Sequence, residues 1–576
     1  MSDTQIKQRP QPSSGQLCKG LPTTIARILA ARDIVADRQI DYSLKNLLPP
    51  QSLTNINAAA DLLAEAVIAD ASIVIVGDFD VDGATSCALA MRCLRAFGLV
   101  NVSYLVPNRF EYGYGLTPQI VGVAAMRQPD IIITVDNGIS SNDGVYAAQQ
   151  LGISVLITDH HLPGDELPTA EVIVNPNLVG DKFASKNLAG VGVIFYVMLA
   201  VRAQLRKMQW FSDSGHAEPN MSQFLDLVAL GTVADVVPLD QNNRILVQQG
   251  LQRIRNGQAC IGIEALLTVA KRNSARIAAS DLGFSVAPRL NAAGRLDDMT
   301  VGIECLLTDD MDTATRLAQQ LDELNRERRV VEQSMQQDAL SIVENLNVGD
   351  DENQLPCIYV LHDESWHQGV VGLVASRIKE RTNRPVVALA PGDGEGEWKG
   401  SARSVEGVHI RDIFARLDAQ HPGLISKFGG HAMAAGLSIE GDKIPRFIDA
   451  LHKTAAEMTA SKDWSQIIWT DGELGAEDFN IELADQLRLL TPWGQALPEP
   501  LFDGYFEVLE ARTVGDIHAK LKLQPEGTDL TIDAICFSYL NDHPQLPEGK
   551  VRAIYRLDVN EFRQRQSLQL IVQTIL

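Results

Sequence analysis

Short apolar runs alternate with longer helical stretches from about residue 70 onward. These runs occupy residues 73–76, 102–106, 131–135, 154–157 and 172–174. Each run is rich in β-branched residues and nearly unbroken, which is typical of strands buried on both faces of a sheet. Because the intervals between them leave room for crossover helices, the pattern predicts an α/β fold with a doubly wound, largely parallel sheet.

The pattern of the remaining chain predicts further domains on either side of that sheet. Residues 1–50 read as a polar tail followed by helices, and residues 185–310 are mainly helical. Residues 312–346 carry an apolar stripe at helical spacing, which predicts one long connecting helix. Strand-like runs at 358–361 and 386–390 indicate a second α/β domain. The predicted domains are 1–50 (tail and helices), 51–310 (first α/β domain), 311–350 (connecting helix), 351–462 (second α/β domain) and 463–576 (a β domain).

The C-terminal segment changes to a β pattern. Strand-like runs occupy residues 506–511, 518–523, 530–537, 551–557 and 567–575, and several of them alternate strictly between apolar and polar positions. Five strands without a strong helix predict a small β-barrel, for which the OB-fold is the natural candidate. That fold binds oligonucleotides on its open face, and the prediction rests here on pattern alone.

Composition indicates a soluble, unsecreted protein, which we expect to be cytoplasmic. The chain has 576 residues, of which 45% are hydrophobic and 21% are charged, an ordinary globular composition. Its first twenty residues lack the apolar core of a signal peptide, and its longest apolar run, 188–201, is too short to span a bilayer. The seven cysteines occur without any Cys-x-x-Cys pair, which argues against a disulfide framework and against a Cys-rich zinc site.

The formal net charge of −23 bears on whether the chain binds nucleic acid. Proteins that follow a phosphate backbone usually carry a basic surface. One interpretation is that this chain does not bind polynucleotides. The other is that its carboxylates hold cations while local basic patches bind the strand. Since phosphate contacts depend on the local field and not on the summed charge, the net charge leaves both interpretations open.

Carboxylates follow the first predicted strand, at the end of the sheet where open α/β folds bind their ligands. Asp78, Asp80 and Asp82 occupy alternate positions of the sequence GDFDVDG. Three carboxylates in one tight turn repel one another and raise their own pKa values unless a divalent cation is bound. An EF-hand calcium loop does not fit, because the later Gly and Glu and the flanking helices that it requires are missing. The loop is therefore predicted to bind metal.

Further strand ends carry the remaining candidate ligands. Asp136 ends one strand in the sequence TVDNG, the sequence TDHH places Asp159, His160 and His161 at the end of the next, and Asp235 follows an apolar segment. A histidine pair beside an aspartate is a stronger signal than a lone histidine, since neutral imidazole is a good ligand for Mn²⁺ or Zn²⁺. Together these residues supply enough ligands for two metal ions. Two such ions can activate water for attack on a phosphodiester, so no protein nucleophile is required.

The ordered series of motifs resembles the DHH phosphoesterase superfamily. GDFDVDG, DNG, DHH and GTVADVVPL are similar to its first four motifs. The remaining motifs of its bacterial single-strand-specific exonucleases are similar to VAPRLNAAGR (286–295), WHQGVVGLVASRIKER (366–381), KGSARS (399–404) and KFGGHAMAAG (427–436). Eight motifs in the expected order, between about residues 70 and 440, make the resemblance specific, and a C-terminal barrel fits the same layout.

The resemblance implies a set of metal ligands and roles for the residues around them. It implies that Asp136 bridges two Mn²⁺ or Mg²⁺ ions, that His161 contacts the scissile phosphate and that Asp159 supports the histidine loop. The mixed histidine and aspartate set favours Mn²⁺ over Mg²⁺. The implied ligands are Asp78, Asp80, Asp82, Asp136, His160 and Asp235.

Substrate-binding residues are predicted from motif positions and side-chain chemistry. Guanidinium groups bind phosphate in a bidentate manner, which makes the arginines in or near the motifs candidates. Glycines at 429–436 would let the backbone approach a phosphate, and Tyr112 and Tyr114 would stack on bases; a glycine turn and ordinary packing are the alternatives. The resemblance implies that such a pocket binds the 5′ end. The candidates are Arg109, Tyr114, Arg289, Ser376, Arg377, Arg403, Gly429, Gly430 and His431.

The resemblance implies an exonuclease that degrades single-stranded DNA from 5′ to 3′ and releases mononucleotides, in recombination and repair. By resemblance we expect a single-strand-binding protein and a helicase as partners, and a monomer is the default. A phosphoesterase acting on short oligonucleotides or small nucleotides is the alternative, although such relatives typically lack the C-terminal barrel. A non-enzymatic scaffold is disfavoured, because every acidic and histidine position of the pattern is present.

Overall fold

The computed structural model describes residues 4–11, 17–107, 115–346, 355–394, 396–541, 543–562 and 565–576. Its strands are β1 (Thr4–Gln8), β2 (Ile73–Val76), β3 (Val102–Leu105), β4 (Ile131–Val135), β5 (Ser154–Thr158), β6 (Val172–Val174), β7 (Tyr359–His362), β8 (Val386–Pro391), β9 (Glu397–Arg403), β10 (Lys427–Gly430), β11 (Ala434–Glu440), β12 (Gln466–Thr470), β13 (Phe502–Val514), β14 (His518–Pro525), β15 (Ile532–Cys536), β16 (Gly549–Phe562) and β17 (Arg565–Ile575).

The α-helices are α1 (Thr23–Ala30), α2 (Ile56–Ile68), α3 (Val81–Ala96), α4 (Pro118–Ala125), α5 (Asn142–Gln150), α6 (Gly190–Lys207), α7 (Trp210–Ser214), α8 (Leu225–Ala234), α9 (Gln241–Arg255), α10 (Ile261–Val269), α11 (Ala279–Asp281), α12 (Ala287–Leu296), α13 (Thr300–Leu307), α14 (Met311–Leu346), α15 (Val371–Thr382), α16 (Ile410–Gln420), α17 (Ile444–Met458) and α18 (Ile481–Leu489). A π-helical turn, Leu282–Val286, joins α11 to α12.

The predicted parallel sheet is confirmed, and its strands lie at the apolar runs. The strand order is β3-β2-β4-β5-β6, and all neighbours are parallel. β2, β4 and β6 are buried along their whole length, which explains why their sequences do not alternate. The direction of the crossovers reverses between β2 and β4, so the carboxyl ends of these two strands border the crevice in which such sheets bind ligands.

The second α/β domain contains a mixed sheet with the order β10-β11-β9-β8-β7. The pair β7-β8 is parallel, and the other pairs are antiparallel. The glycine-rich segment 427–436, in which no strand was predicted, forms part of the hairpin β10-β11. Gly430 closes this hairpin at φ 134°, where an added Cβ would lie 2.5 Å from the carbonyl oxygen of Ala434. Glycine is therefore required there by the turn itself.

The predicted long helix and the predicted barrel are both confirmed. The helix, α14, spans 36 residues, and its apolar residues Met335, Ala339 and Val343 pack in one core with those of β7, β8 and α15. The barrel is closed in the order β13-β14-β15-β17-β16, with β15 and β17 parallel. Burial alternates strictly along β14 and β15, as the sequence pattern required.

The chain forms two compact units, and the barrel belongs to the same unit as the parallel sheet. This larger unit contains Lys7–Gly294, Asp298–Asp322 and Trp469–Leu576, while the smaller unit contains Arg295–Asp297 and Glu323–Ile468. Strand β1, which pairs with β12, was missed because residues 1–50 were predicted as a tail and helices. Within the described ranges no helix combines the length and the apolarity that a bilayer span needs.

Candidate active site

The predicted metal ligands of the larger unit meet at the carboxyl end of the parallel sheet. They come from the loop after β2, the first turn of α3, the ends of β4 and β5, and the end of α8. Three overlapping groups each bring their ligand atoms within 4.8 Å of one another: Asp78 with Asp80 and Asp136; Asp82 with His160 and Asp235; and Asp136 with His160 and His161.

The loop after β2 leads directly into the N-terminus of α3. Asp80 is the N-cap of this helix, and its Oδ1 accepts a hydrogen bond of 3.0 Å from the Gly83 amide. A capping carboxylate is stabilised there by the unpaired amides of the first turn. Gly83 must be glycine, because an added Cβ would lie 2.6 Å from the carbonyl oxygen of Asp78. The alternating aspartates are thus presented by a helix N-terminus directly after a buried strand.

Asp82 has a structural task that its motif position did not reveal. Its two carboxylate oxygens accept hydrogen bonds from the Gly190 amide at 2.6 Å and the Val191 amide at 2.9 Å, the first two residues of α6. Burial, followed by the charge of Asp80, raises the pKa of Asp82 to about 7. Asp82 therefore anchors a helix and at the same time places Oδ2 4.0 Å from His160 Nε2.

Asp136 lies at the centre of the cluster in a strained backbone conformation. Its φ is 62°, in the left-handed region that aspartate tolerates better than most residues. A Cβ added to Gly190 would lie 2.6 Å from the Asp136 side chain, so only glycine lets α6 approach. Burial and the charges of neighbouring aspartates, Asp82 first, raise the pKa of Asp136 well above its usual value.

The two histidines face different partners. His160 Nε2 lies 3.1 Å from Asp136 Oδ1 and 3.4 Å from Asp235 Oδ2. His161 Nδ1 lies 2.7 Å from Asp159 Oδ1, so any contact of this ring to a substrate oxygen must use Nε2. Burial alone would lower the pKa of His161, but the hydrogen bond and charge of Asp159 outweigh burial and raise the pKa to about 9. His161 is therefore a cation at neutral pH in the metal-free protein.

Asp159 and two asparagines fix the backbone of the histidine loop. Asp159 Oδ1 accepts hydrogen bonds from the amides of His160 and His161 at 2.7 and 3.1 Å. Asn175 and Asn177 donate to the carbonyl oxygens of His161 and His160 at 2.9 and 2.6 Å. Burial favours the neutral acid, yet the contacts of His161 hold the pKa of Asp159 below its usual value. The histidine rings are thus held from both sides of the loop.

The electrostatics of this cluster fit divalent cations. Burial and then neighbouring carboxylates, Asp82 foremost, raise the pKa values of both Asp136 and Asp235 well above the usual range. Converging buried carboxylates that disfavour their own ionisation are stabilised when a cation replaces their protons. Carboxylate oxygens with one or two imidazole nitrogens are a ligand set that suits Mn²⁺ and, less closely, Mg²⁺.

Stabilisation of the protein by Mn²⁺ is expected to grow between about pH 5 and pH 8. A carboxyl group whose pKa is raised in the folded state, such as Asp82 at about 7, favours folding at low pH and loses that contribution as the pH rises. Mn²⁺ displaces these protons, so the difference in Tm between the metal-loaded and metal-free protein should widen with pH. Differential scanning fluorimetry with Mn²⁺ or EDTA measures this difference in Tm. A difference in Tm that does not change with pH would contradict the assigned ligands.

The smaller unit places Arg403 in a setting suited to an anion. Its Nη1 donates to Ser401 Oγ at 2.8 Å and to the Ala402 carbonyl oxygen at 2.9 Å, and it forms no salt bridge with any described carboxylate. Burial lowers the pKa of Arg403. A Cβ added to Gly372, in the first turn of α15, would lie 2.9 Å from Arg403 Nη2 and 3.0 Å from Ser401 Oγ. The guanidinium thus lies against a helix N-terminus, a common setting for phosphate binding.

Glycines extend the same face across the neighbouring strands. Gly436 pairs with Ser401 on one side and with Gly429 on the other, so these three positions point to one face of the sheet. A Cβ added to Gly429 would meet nothing within 4 Å, and one added to Gly436 would meet nothing closer than 3.8 Å. No described residue requires glycine at these two positions, which leaves bare backbone for a ligand to approach. Gly430 and His431 are exposed at the turn beside them.

Other predicted substrate residues have local partners. Arg289 holds Asp322 on α14 with Nε and Nη2 at 2.9 and 2.8 Å. Arg377 lies 3.2 Å from Glu332, and Ser376 Oγ donates to the Gly372 carbonyl oxygen at 3.1 Å. Their roles at the substrate remain predictions. Arg109, Tyr112 and Tyr114 lie outside the described residues.

Several residues that shape the site were not singled out from the sequence. Gly190 makes room for Asp136, and a Cβ at Gly231 would collide with Thr85 and lie 2.9 Å from Asp82 Oδ1. Asn175 holds the histidine loop from the end of β6. The sequences AGVGV around Gly190 and NPN around Asn175 were the available signals, but neither has a spacing that points to a partner more than ten residues away.

Family profiles match three parts of the chain. The profile of the DHH family, N-terminal domain, matches residues 72–232. The profile of the DHHA1 domain matches residues 354–457, and the profile of the RecJ OB domain matches residues 470–574. The first match covers the parallel sheet and most of the metal cluster, and the second covers the Arg403 face.

Whole-length similarities agree with these matches. The single-stranded-DNA-specific exonuclease RecJ of Dickeya dadantii is 50% identical over 573 residues, covering 99% of this chain and 98% of that protein. The protein of the same name from Escherichia coli is 49% identical over 574 residues, covering 99% of both chains. The crystal structure of RecJ with Mn²⁺ from Thermus thermophilus is 28% identical with a TM-score of 0.81, covering 100% of this chain and 80% of that one. A Mg²⁺ complex of that protein has a TM-score of 0.75, is 27% identical, and covers 100% of this chain and 78% of that one.

Proposed function

This chain belongs to the RecJ family of single-stranded-DNA-specific exonucleases, and we propose that it degrades single-stranded DNA from the 5′ end to mononucleotides. It is a metal-dependent exonuclease, and the observation that carries this function is the overlapping set of carboxylates and imidazoles at the end of the parallel sheet. The presence of the barrel favours a polynucleotide substrate over the small nucleotides of the alternative function.

The residues that would hold two Mn²⁺ or Mg²⁺ ions are Asp78, Asp80, Asp82, Asp136, His160 and Asp235. When bound, such ions activate water and neutralise charge on the leaving oxygen of a phosphodiester. Asp136 and His160 each belong to two of the three overlapping groups of ligand atoms, and because only the carboxylate has two oxygens to share, Asp136 is the better candidate for the shared ligand. Because these groups are fixed by a helix cap, a helix anchor and a strand end, little reorganisation is needed during the reaction.

His161 is proposed to hold the scissile phosphate. Its ring is oriented by Asp159 at 2.7 Å, which leaves Nε2 to contact a phosphate oxygen. Asp159 acts on the substrate only through His161 and is a positioning residue.

The 5′ polarity is proposed to come from the smaller unit. Arg403, Ser401 and the glycine face formed by Gly429 and Gly436 offer a cation, a hydroxyl and bare backbone to one terminal phosphate. Gly372 leaves the space that the guanidinium needs. A terminal phosphate carries more charge than an internal one, so a partly buried arginine without a described carboxylate partner favours it.

Replacing Arg403 with alanine is expected to remove the preference for a 5′-phosphorylated strand over a 5′-hydroxyl strand. Loss of a charge-assisted contact should reduce the preference by about tenfold to a hundredfold. Initial rates on the two strands measure the ratio, and Arg416→Ala, at an exposed pair with Glu457 in the same unit, is the control. Equal losses on both strands would show that Arg403 does not recognise the terminal phosphate.

The proposed function is tested by digestion of three substrates in Mn²⁺ and in Mg²⁺. These are an end-labelled 60-nucleotide single strand, the same sequence as a blunt duplex, and a dinucleotide. Mononucleotides released from the 5′ end of the single strand, with the duplex spared, would establish the activity and its polarity. Cleavage confined to the dinucleotide would establish the small-substrate phosphoesterase instead.

The cellular setting is proposed from the family alone. We place the protein in the cytoplasm, as a monomer that acts in recombination and repair with a single-strand-binding protein and a helicase. Sedimentation of the purified chain tests the monomer directly.

A further inference from the structure

Phe284 exposes an aromatic ring to solvent from an unusual backbone element. The side chain is 80% exposed and belongs to the π-helical turn Leu282–Val286. A single exposed apolar residue is ordinary on a protein surface. A π-helical turn is rare, however, and occurs frequently at functional sites. Whether the π-helical turn lies near the metal ligands is therefore the relevant question for Phe284.

The π-helical turn packs against the helix that carries Asp235. A Cβ added to Gly283 would lie 3.2 Å from Cγ1 of Val233, two residues before Asp235. The helical segment that continues from the turn reaches Gly294, where an added Cβ would collide with the carbonyl oxygen of Phe79 in the aspartate loop. Both ends of this segment thus contact elements that hold the metal cluster, and Phe284 lies beside one of them.

Val236 adds a second exposed apolar side chain directly after Asp235. It is 62% exposed, and its φ is 60°. A β-branched residue in the left-handed region is a true outlier, since its branched Cβ crowds the backbone. Strained residues of this kind cluster at active sites and ligand clamps. The strain at Val236 holds an apolar side chain in solvent beside a metal ligand, where a polar residue or glycine would be easier to accommodate.

Arg272 contacts the residue that follows Phe284. Its Nε donates a hydrogen bond of 3.0 Å to Ser285 Oγ, and Ser285 directly follows Phe284. The Arg272 side chain is about half exposed and lies 3.5 Å from Asp281, a distance that leaves the guanidinium only loosely paired. The same π-helical turn thus carries an exposed aromatic ring and a contact to a half-exposed arginine, and single-stranded nucleic acid is bound by such groups, the ring under a base and the cation at a phosphate.

We propose that Phe284 is a stacking platform for one base of the single strand as the strand enters the metal site. Arg272 contacts the backbone beside that base, and Val236 lines the path between the platform and Asp235. This inference rests on the proposed function and deepens it, because it identifies a surface that requires an unpaired base. A base inside a duplex is stacked between its neighbours and cannot present its face to Phe284, so the platform contributes to the preference for single strands.

The platform is tested by strand binding in an Asp136→Asn background, which prevents cleavage during the measurement. Replacing Phe284 with alanine removes one base–aromatic stack and should raise the Kd for a single strand about tenfold. Phe284→Tyr keeps an aromatic face and should bind like the parent. Tyr146→Ala removes an aromatic side chain that is 63% exposed on α5 of the same unit and is the matched control.

An abasic scan separates stacking from a general surface effect. Strands with one abasic position at each nucleotide near the 5′ end are bound by the parent and by Phe284→Ala. One abasic position should lower the affinity of the parent about tenfold. The same position should not lower the affinity of Phe284→Ala any further, since both changes remove the same stack. Unchanged binding by Phe284→Ala, or abasic losses that add to it at every position, would overturn the platform. If the parent itself binds a duplex as tightly as a single strand, the proposed function fails, whatever Phe284 does.

Discussion

Replacing Asp136 with asparagine is expected to abolish cleavage of single-stranded DNA while the protein stays folded and binds the strand. Asp136 is buried at the centre of the cluster and belongs to two of its three groups of ligand atoms. An amide has the same shape but is a poor ligand for a divalent cation. Loss of metal-assisted charge stabilisation should reduce the rate by a factor on the order of 10³ or more.

The metal assignment also predicts how Asp136→Asn changes thermal stability, independently of activity. Because burial, and then neighbouring carboxylates, raise the pKa of Asp136, the neutral amide removes an unfavourable charge in the metal-free protein. The variant should therefore be at least as stable as the parent in EDTA and should gain less Tm from Mn²⁺. Scanning fluorimetry and strand binding in EDTA measure both properties, with Asp143→Asn, an exposed aspartate on α5, as the control. Strong cleavage by Asp136→Asn would refute the assignment.

Replacing Arg32 with methionine is expected to destabilise the larger unit by about 3–5 kcal/mol, because the change leaves a buried carboxylate without its cation. Arg32 and Asp471 are joined by two hydrogen bonds of 2.6 and 2.9 Å, and both side chains are only 2% exposed. This pair ties α1 to the segment that leads into the barrel.

Apparent Tm and urea midpoints measure the loss, and a double variant tests its cause. Arg32→Met with Asp471→Asn removes both charges and should recover part of the stability lost by Arg32→Met alone. Arg206→Met, at an exposed pair with Glu218, should change the midpoint little and is the control. A double variant that is no more stable than Arg32→Met would mean that packing, and not the uncompensated charge, is responsible.

Because Asp471 of the buried Arg32–Asp471 pair lies in the C-terminal segment, deleting that segment is a poor test of the barrel. Deleting the chain beyond residue 465 would remove Asp471 and also Thr491, whose hydroxyl accepts a hydrogen bond of 2.7 Å from buried Tyr42. Arg276, which is paired with Asp485 and Glu561, would lose both partners. Activity lost on truncation would then report a damaged larger unit. Substitutions of exposed barrel residues, such as Phe537→Ala, address strand binding without that damage.

The sequence by itself determined the strands of the parallel sheet and the chemistry of the metal cluster. β2, β4 and β6 were located to the residue because a strand buried on both faces needs an unbroken run of β-branched residues, which is a local signal. Asp78, Asp136 and His160 were grouped because the carboxyl ends of parallel strands meet at one edge, so the topology alone brings them together. The whole series of motifs then specified the family.

Only the tertiary structure decided which residues of the same type share a task. Arg289 and Arg403 are both arginines in motifs, yet Arg289 lies against Asp322 and Arg403 lies against Gly372 with no described carboxylate partner. In the same way, Asp82 anchors α6 through Gly190 and Val191, more than a hundred residues away. Periodicity and motif order report which side chain a position carries and which face it occupies. The partner of a charged or small residue depends on distant segments whose approach is set by packing, and no local pattern records that approach.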